Sequence, residues 1–170
     1  MAVFDIRVLP PDTDSTPPQL SPRLVIKEPG AVIGLHLSPR GEHLACVFRK
    51  YASSEEDTMA QYPTLREEAL IHIYQVETGS LLLEFHGTVG YSSGECTFLI
   101  LPEFSPCGRF LSCGSEDGTT RIWSIEAGAL IQVLKGHTDV SNFCAWHPNE
   151  PIVITGSDDL TLRLWTAPDY

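Results

Sequence analysis

Ser115-Glu116-Asp117-Gly118-Thr119-Thr120-Arg121-Ile122-Trp123 returns, 42 residues further on, as Ser157-Asp158-Asp159-Leu160-Thr161-Leu162-Arg163-Leu164-Trp165. The same shift lays Gly114 on Gly156, Pro106 on Pro148, Phe104 on Trp146 and Gly94 on Gly136. Unrelated stretches do not hold one register over such a distance, and a period of about 40 to 45 residues is that of a unit of four short strands. A more diverged copy comes first. Ser38-Pro39-Arg40-Gly41 matches Ser105-Pro106-Cys107-Gly108, with Leu44 and Cys46 on Leu111 and Cys113, at an offset of 67. Its second half, Ile73-Tyr74 and Glu77-Thr78-Gly79, matches Ile122-Trp123 and Glu126-Ala127-Gly128 at 49, so 18 additional residues lie between its halves.

The alternation within each copy is that of strands. In the third copy Val140–Trp146, Ile152–Thr155 and Thr161–Trp165 read as three antiparallel strands. They are joined by turns at His147-Pro148-Asn149-Glu150 and Ser157-Asp158-Asp159. Ala129–Leu134 supplies a fourth strand that carries the chain from the second copy to the third, and Ser80–Phe85 does the same from first to second. Cys96–Leu101 reads as a further strand. No stretch has the pattern of a long helix. The additional residues fall between Phe48 and Ala69, where Ser53-Ser54-Glu55-Glu56-Asp57 and Tyr62-Pro63 break any strand pattern and predict an acidic surface loop. Residues 1–22 divide into a strand, Phe4–Leu9, and a proline-rich linker over 9–22. The repeats then occupy 23–170, at about 23–83, 84–133 and 134–170. Phe4–Leu9 is expected to pair with Thr161–Trp165, where the last repeat stops one strand short.

Composition narrows the function. With 42% hydrophobic and 19% charged residues among 170, the chain has the material for a packed core. A net charge of −11 argues against direct nucleic-acid binding or an anionic membrane surface, both of which select Lys and Arg. Met1–Arg7 carries an acid where a signal peptide carries bases, so an intracellular location is expected. Apolar runs such as Leu81–Leu83 and Phe98–Leu101 fall far short of the ~20 residues that span a bilayer. The five cysteines (Cys46, Cys96, Cys107, Cys113, Cys144) form no CxxC pair and read as reduced core thiols; no metal and no cofactor is expected.

Over residues 23–170 these features resemble the WD-repeat family. The third copy carries Gly136-His137 at its start, Asp159 in the turn between its second and third strands and Trp165 at its end. The resemblance implies an all-β fold, a partial or open WD-repeat β-propeller of about three four-stranded antiparallel blades. It also implies a structural hydrogen-bond network in which Asp159 orients His137, His137 meets a hydroxyl of Thr155 or Ser157, and the Trp165 indole closes the set. Asp117 and Trp123 hold the corresponding places in the second copy. This sequence departs from the family where Thr166, Ser124 and Gln75 follow the aromatic residue in place of Asp, and where Glu95 stands for the His.

The implied function is that of a non-catalytic scaffold or adaptor that binds other proteins or peptides through loops at the blade ends. Tyr91, Glu116, Thr138, Asp139 and Asp158 are the expected contact residues, and their acidity favours basic partners. Self-association, or blades supplied by a longer chain, would cover the edges that three blades leave open. Two alternatives stand beside this reading. A substrate receptor of a cullin-type ubiquitin ligase would carry an Arg two places after the Trp-Asp pair, where this sequence has Glu126 and Pro168. Gly90-Tyr91-Ser92-Ser93-Gly94 satisfies the GxSxG pattern of serine hydrolases, yet a strand follows it where the nucleophile elbow requires a helix. His137 with Asp159 has no nucleophile beside it to complete a triad.

Overall fold

Residues 22–49, 66–91 and 100–167 are described by the structure, a computed structural model, and within them lie eleven strands and no helix. The expected strand Phe4–Leu9, the proline-rich stretch up to residue 21, the acidic run at 53–57, and Ser92, Glu95, Cys96 and Pro168 lie outside the described residues.

The first sheet joins β1 (Ala31–Leu37), β2 (His43–Arg49), β3 (Arg66–Gln75) and β4 (Leu81–Tyr91) in chain order. A second four-stranded sheet follows with β5 (Pro102–Phe104), β6 (Phe110–Gly114), β7 (Thr119–Ser124) and β8 (Ala129–Lys135). β9 (Ser141–Trp146), β10 (Ile152–Ser157) and β11 (Leu162–Thr166) make a third, of three strands. All pairings are antiparallel. The described residues therefore form an all-β arc of three blades, open at both ends.

The Ser-Pro-x-Gly motif explains why β1–β2 and β5–β6 turn where they do. Gly41 and Gly108 adopt φ of 74° and 73°, a conformation only glycine enters freely, and donate their N–H to Ser38 and Ser105 carbonyls. The same serines then accept through Oγ from His43 and Phe110 N–H, at 2.9 and 3.1 Å, which locks the first pair of each hairpin.

Two elements differ from the sequence expectation. Of the strand expected at Cys96–Leu101, residues 96–99 lie outside the described residues, Ile100 and Leu101 are not in a strand, and β5 spans Pro102–Phe104. A proline tolerates that first position because no ladder bond needs its missing N–H there. β4 also continues to Tyr91, past the expected end of the first repeat at 83, because β3 starts early and the two pair from Ala69↔Thr88 out to Arg66↔Tyr91. Beyond the last β2–β3 pair, Arg49↔Ala69, β3 and β4 thus continue as a two-stranded extension of the sheet.

Strand register gives each blade two distinct faces. In the first blade Gly34, Val47, Ile71 and Phe85 form one cross-strand row and His36, Ala45, Ile73 and Leu83 the next, both turned towards the second blade. That blade answers with Phe104, Leu111, Cys113 and Trp123. Trp123 is 1% exposed and stacks on Phe85, with ring centroids 5.6 Å apart and planes at 19°. The seam between second and third blades is more polar. Thr120 Oγ1 and Ser141 Oγ lie 2.7 Å apart, the Trp146 indole donates to Ser112 Oγ at 2.8 Å, and a side chain on Gly114 would collide with the Ser141 carbonyl.

Candidate functional site

The third blade collects the polar residues of the motif in one place. His137 sits just before β9, where Gly136 must stay small because a Cβ there would lie 2.8 Å from the Arg163 guanidinium and 3.1 Å from the Trp165 ring. Asp159 belongs to the β10–β11 turn, Thr155 to β10 and Trp165 to β11. A carboxylate can only accept, so His137 Nδ1 donates to Asp159 Oδ2 at 2.8 Å. The Trp165 indole donates to Thr155 Oγ1 at 2.9 Å, and that hydroxyl continues the chain to His137 Nε2 at 2.7 Å. His137 is 9% exposed and Thr155 0%, so neither has water as a substitute partner. Of the two candidate hydroxyls, Thr155 is the one His137 meets. Ser157 instead supports the turn, accepting from Asp159 N–H at 3.1 Å and donating to the Asp139 carbonyl at 3.0 Å.

Asp159 also accepts from Thr161, through hydroxyl and backbone, and from Thr138 N–H. Those bonds, led by the Thr161 hydroxyl with His137 behind it, hold its carboxyl well below the ordinary value of 3.8 against the opposing effect of burial. Asp117 holds the same turn position in the second blade with different neighbours. Burial pushes its carboxyl up, but the Arg121 guanidinium at 2.9 Å and the Thr119 hydroxyl at 2.6 Å outweigh it and leave the group well below 3.8. Both carboxylates therefore bind protons less readily folded than unfolded. Their contribution to stability is fully present above the unfolded value and disappears as pH falls through the folded ones. The expected result is a urea midpoint that is flat from about pH 7 to 5 and drops steeply below about pH 4, with a shallower drop in Asp159→Asn.

A third polar set, in the first blade, has no counterpart among the sequence expectations. Glu28 Oε1 accepts from the Tyr74 hydroxyl at 2.8 Å, and Oε2 lies 2.9 Å from His72 Nδ1. On its other side His72 Nε2 meets Glu84 Oε2 at 2.8 Å, and Glu84 Oε1 meets His86 at 2.8 Å. Glu28 is the residue that the offset of 67 places on Glu95, and that the further 42 places on His137. Tyr74 stands for Trp165 through the offset of 49 and the further 42, and Cys46 for Thr155 through 67 and 42. The blade thus keeps the positions of the lock while exchanging imidazole for carboxylate and indole for phenol. Burial and then the charge of Glu28 push the Cys46 thiol up to about 12, and His72 holds the Glu84 carboxyl down.

Of the expected contact residues, Thr138, Asp139 and Asp158 are exposed on adjoining turns, tied together by the Asp158 N–H donating to the Val140 carbonyl at 3.0 Å. Asp158 accepts from Asn142 at 2.6 Å. Glu116 is different: it is 5% exposed, folded into the β6–β7 turn rather than presented to solvent. Tyr91 is the last residue of β4. The thiols divide likewise. Cys46 and Cys113 are buried, whereas Cys107 is exposed in the β5–β6 turn, where burial is outweighed by Ser105 and Arg109 and the thiol falls to about 7. Turn position, not strand alternation, decides that exception. Among the described residues no group of three or more His, Cys, Asp or Glu has the arrangement of a metal site, and no helix is long and apolar enough to cross a membrane.

Known proteins share this arrangement. The family model described as "WD domain, G-beta repeat" matches residues 79–124 and 128–166. F-box/WD repeat-containing protein 5 of Rattus norvegicus is 30% identical over 148 residues, covering 85% of this chain and 25% of that protein. GID complex subunit 7 of Schizosaccharomyces pombe is 39% identical over 61 residues, 35% of this chain and 12% of that protein. Among solved structures, the crystal structure of RRP9 WD40 repeats superimposes with a TM-score of 0.62 at 16% identity, over 85% of this chain and 38% of its own. The chain spans a quarter or less of the length of these curated relatives.

Proposed function

We propose that this chain, which belongs to the WD-repeat family, is a non-catalytic scaffold whose exposed turns hold a basic protein segment inside the cell. The observation that carries the reading is how the His137–Asp159 pair of the third blade is used. Both imidazole nitrogens of His137 are engaged, one by Asp159 and one by a hydroxyl that also holds an indole, so the pair fixes a turn against a sheet. General-base chemistry would need one of those nitrogens within reach of a reacting proton. Relatives named as subunits of the coatomer and of the GID complex are consistent with a role in assemblies. The places that would carry the ligase-docking arginine hold Glu126 and Pro168, which argues against a ligase receptor.

The binding surface in this proposal is the pair of adjoining turns around Thr138, where Asp139 and Asp158 present exposed carboxylates. Acidic turns attract Lys- and Arg-rich segments and set the salt dependence of association more than its depth. Fluorescence anisotropy with a lysine- and arginine-rich peptide, and with an acidic peptide of equal length, tests this. Selective binding of the basic peptide is expected, weakening with added salt and about tenfold weaker in the Asp139→Asn/Asp158→Asn double variant. Equal affinity for both peptides, or a double variant that binds as the parent does, would remove this surface from consideration.

A further inference from the structure

Cys107 breaks the pattern of the other described thiols, being exposed in a turn where Cys46 and Cys113 are buried in strands. The offset of 67 lays it on Arg40 and the further 42 on Asn149, so a thiol stands where the sister turns carry polar groups. Its sulfur lies 3.3 Å from Ser105 Oγ and accepts from the Arg109 backbone N–H and guanidinium. Those donors leave the thiol at about 7, so a large share is thiolate at neutral pH, the condition in which a thiol attacks a disulfide fastest. The sulfur does not stand alone. It lines a groove of about 520 Å³ between the first and second blades, with Arg40 and Glu42 of the β1–β2 turn, Arg109 of the β5–β6 turn and Glu126 of the β7–β8 turn. That volume suits a small molecule. Both blades have all four strands, and these turns lie at the end of the strands opposite the β2–β3 and β4–β5 connections. The walls are held in place: Ile125 N–H donates to the Arg109 carbonyl at 2.9 Å, and a Cβ on Gly108 would come within 3.9 Å of Pro39 Cδ. Arg40, Glu42 and Glu126 use their charges on no other side chain among the described residues.

We propose that this groove is a site of reversible thiolation, in which Cys107 takes up one half of a small disulfide whose arms carry amino and carboxylate groups. The step balances without a further oxidant. The Cys107 thiolate attacks one sulfur of the disulfide and bonds to it; the original sulfur–sulfur bond breaks, and its electron pair leaves with the other half as a thiolate that takes a proton from water. The Cys107 sulfur is oxidised and the departing sulfur reduced. Charge in the lining selects the reagent. A γ-glutamyl tripeptide such as glutathione brings two carboxylates and one ammonium in each arm. The guanidinium forks of Arg40 and Arg109 suit the carboxylates, and Glu42 and Glu126 suit the ammonium. A purely anionic ligand would meet the two acids, and a purely cationic one the two arginines. Release is the same exchange run backwards by free thiol, so the adduct follows the thiol–disulfide balance around the protein. The groove lies at the end of the blades opposite Asp139 and Asp158 and is independent of what those turns bind.

Glutathione disulfide is the probe, and hydroxyethyl disulfide the neutral reagent that makes no use of a charged lining. The 170-residue chain is exposed to each at neutral pH, and adducts are located by tandem mass spectrometry of its peptides. Cys107 is expected to be the first thiol modified by glutathione disulfide, and Cys107→Ser to remove that first adduct. The ratio of the glutathione rate to the neutral rate at Cys107 is expected to fall at least about fivefold in Arg40→Asn. That change installs the residue the third copy carries at this place, Asn149, so the turn keeps a side chain it accommodates. Excess reduced glutathione is expected to restore the parent mass. Another thiol modified ahead of Cys107, or an adduct that persists in excess thiol, would overturn the proposal. A ratio that Arg40→Asn leaves where it was would overturn it equally, since it would show a reactive sulfur without a binding groove.

Discussion

Trp123→Ala is expected to lower the unfolding free energy by about 3 to 5 kcal/mol, read from the urea midpoint at constant m-value. Trp123 is 1% exposed and stacks on Phe85 of the neighbouring blade while also packing beside Leu111, its partner across β6 and β7. Removing the ring opens a cavity between two sheets held together chiefly by apolar contact. Whole domains are stable by about 5 to 15 kcal/mol, so this single change reaches a large part of the total. Trp165→Ala at the equivalent place is expected to cost less, because Trp165 is only partly buried where Trp123 is 1% exposed. Equal losses at the two sites would mean that the core is not centred on the first seam.

The second large effect is expected from a change that alters almost no volume. Thr155→Val keeps the shape of a residue that is 0% exposed but removes the hydroxyl shared by His137 and Trp165. An indole N–H loses its acceptor and a ring nitrogen loses its donor, each inside the blade. Stranded buried groups cost about 1 to 3 kcal/mol apiece, so a loss of about 2 to 4 kcal/mol is expected by urea denaturation. Thr138→Ala, on the neighbouring exposed turn, is the control and should stay within about 0.5 kcal/mol of the parent. A loss no larger for Thr155→Val than for that control would mean that the hydroxyl chain contributes nothing.

The blades were legible because repetition is a property of the sequence itself. Trp123 and Trp165 fall opposite Leu111 and Val153 in register, two pairs separated by the same 42 residues that separate the tryptophans. His137, Asp159 and Trp165 could be placed in one network because the third copy keeps the family's residue types. Glu28 could not be found that way, since carboxylate had replaced imidazole and phenol had replaced indole; the offset alone, carried back from His137, leads to it. Burial of Glu116 was equally hidden. Its neighbours in sequence are turn residues, and only the closeness of the next blade, seen where Gly118 approaches the His137 carbonyl, removes that turn from water. The reach of β4 to Tyr91 depended on pairing with residues beyond a long insertion, which no local pattern reports.

The unlike chemistry of the two internal seams has a thermal consequence. The first, built from Val47, Ile71, Ile73, Phe85 and Trp123, draws its strength from water leaving hydrocarbon, a driving force that fades on cooling. The second is pinned through Ser112, Thr120, Ser141 and the Trp146 indole, whose hydrogen bonds do not share that dependence. Chilling the molecule is therefore expected to weaken the first seam relative to the second.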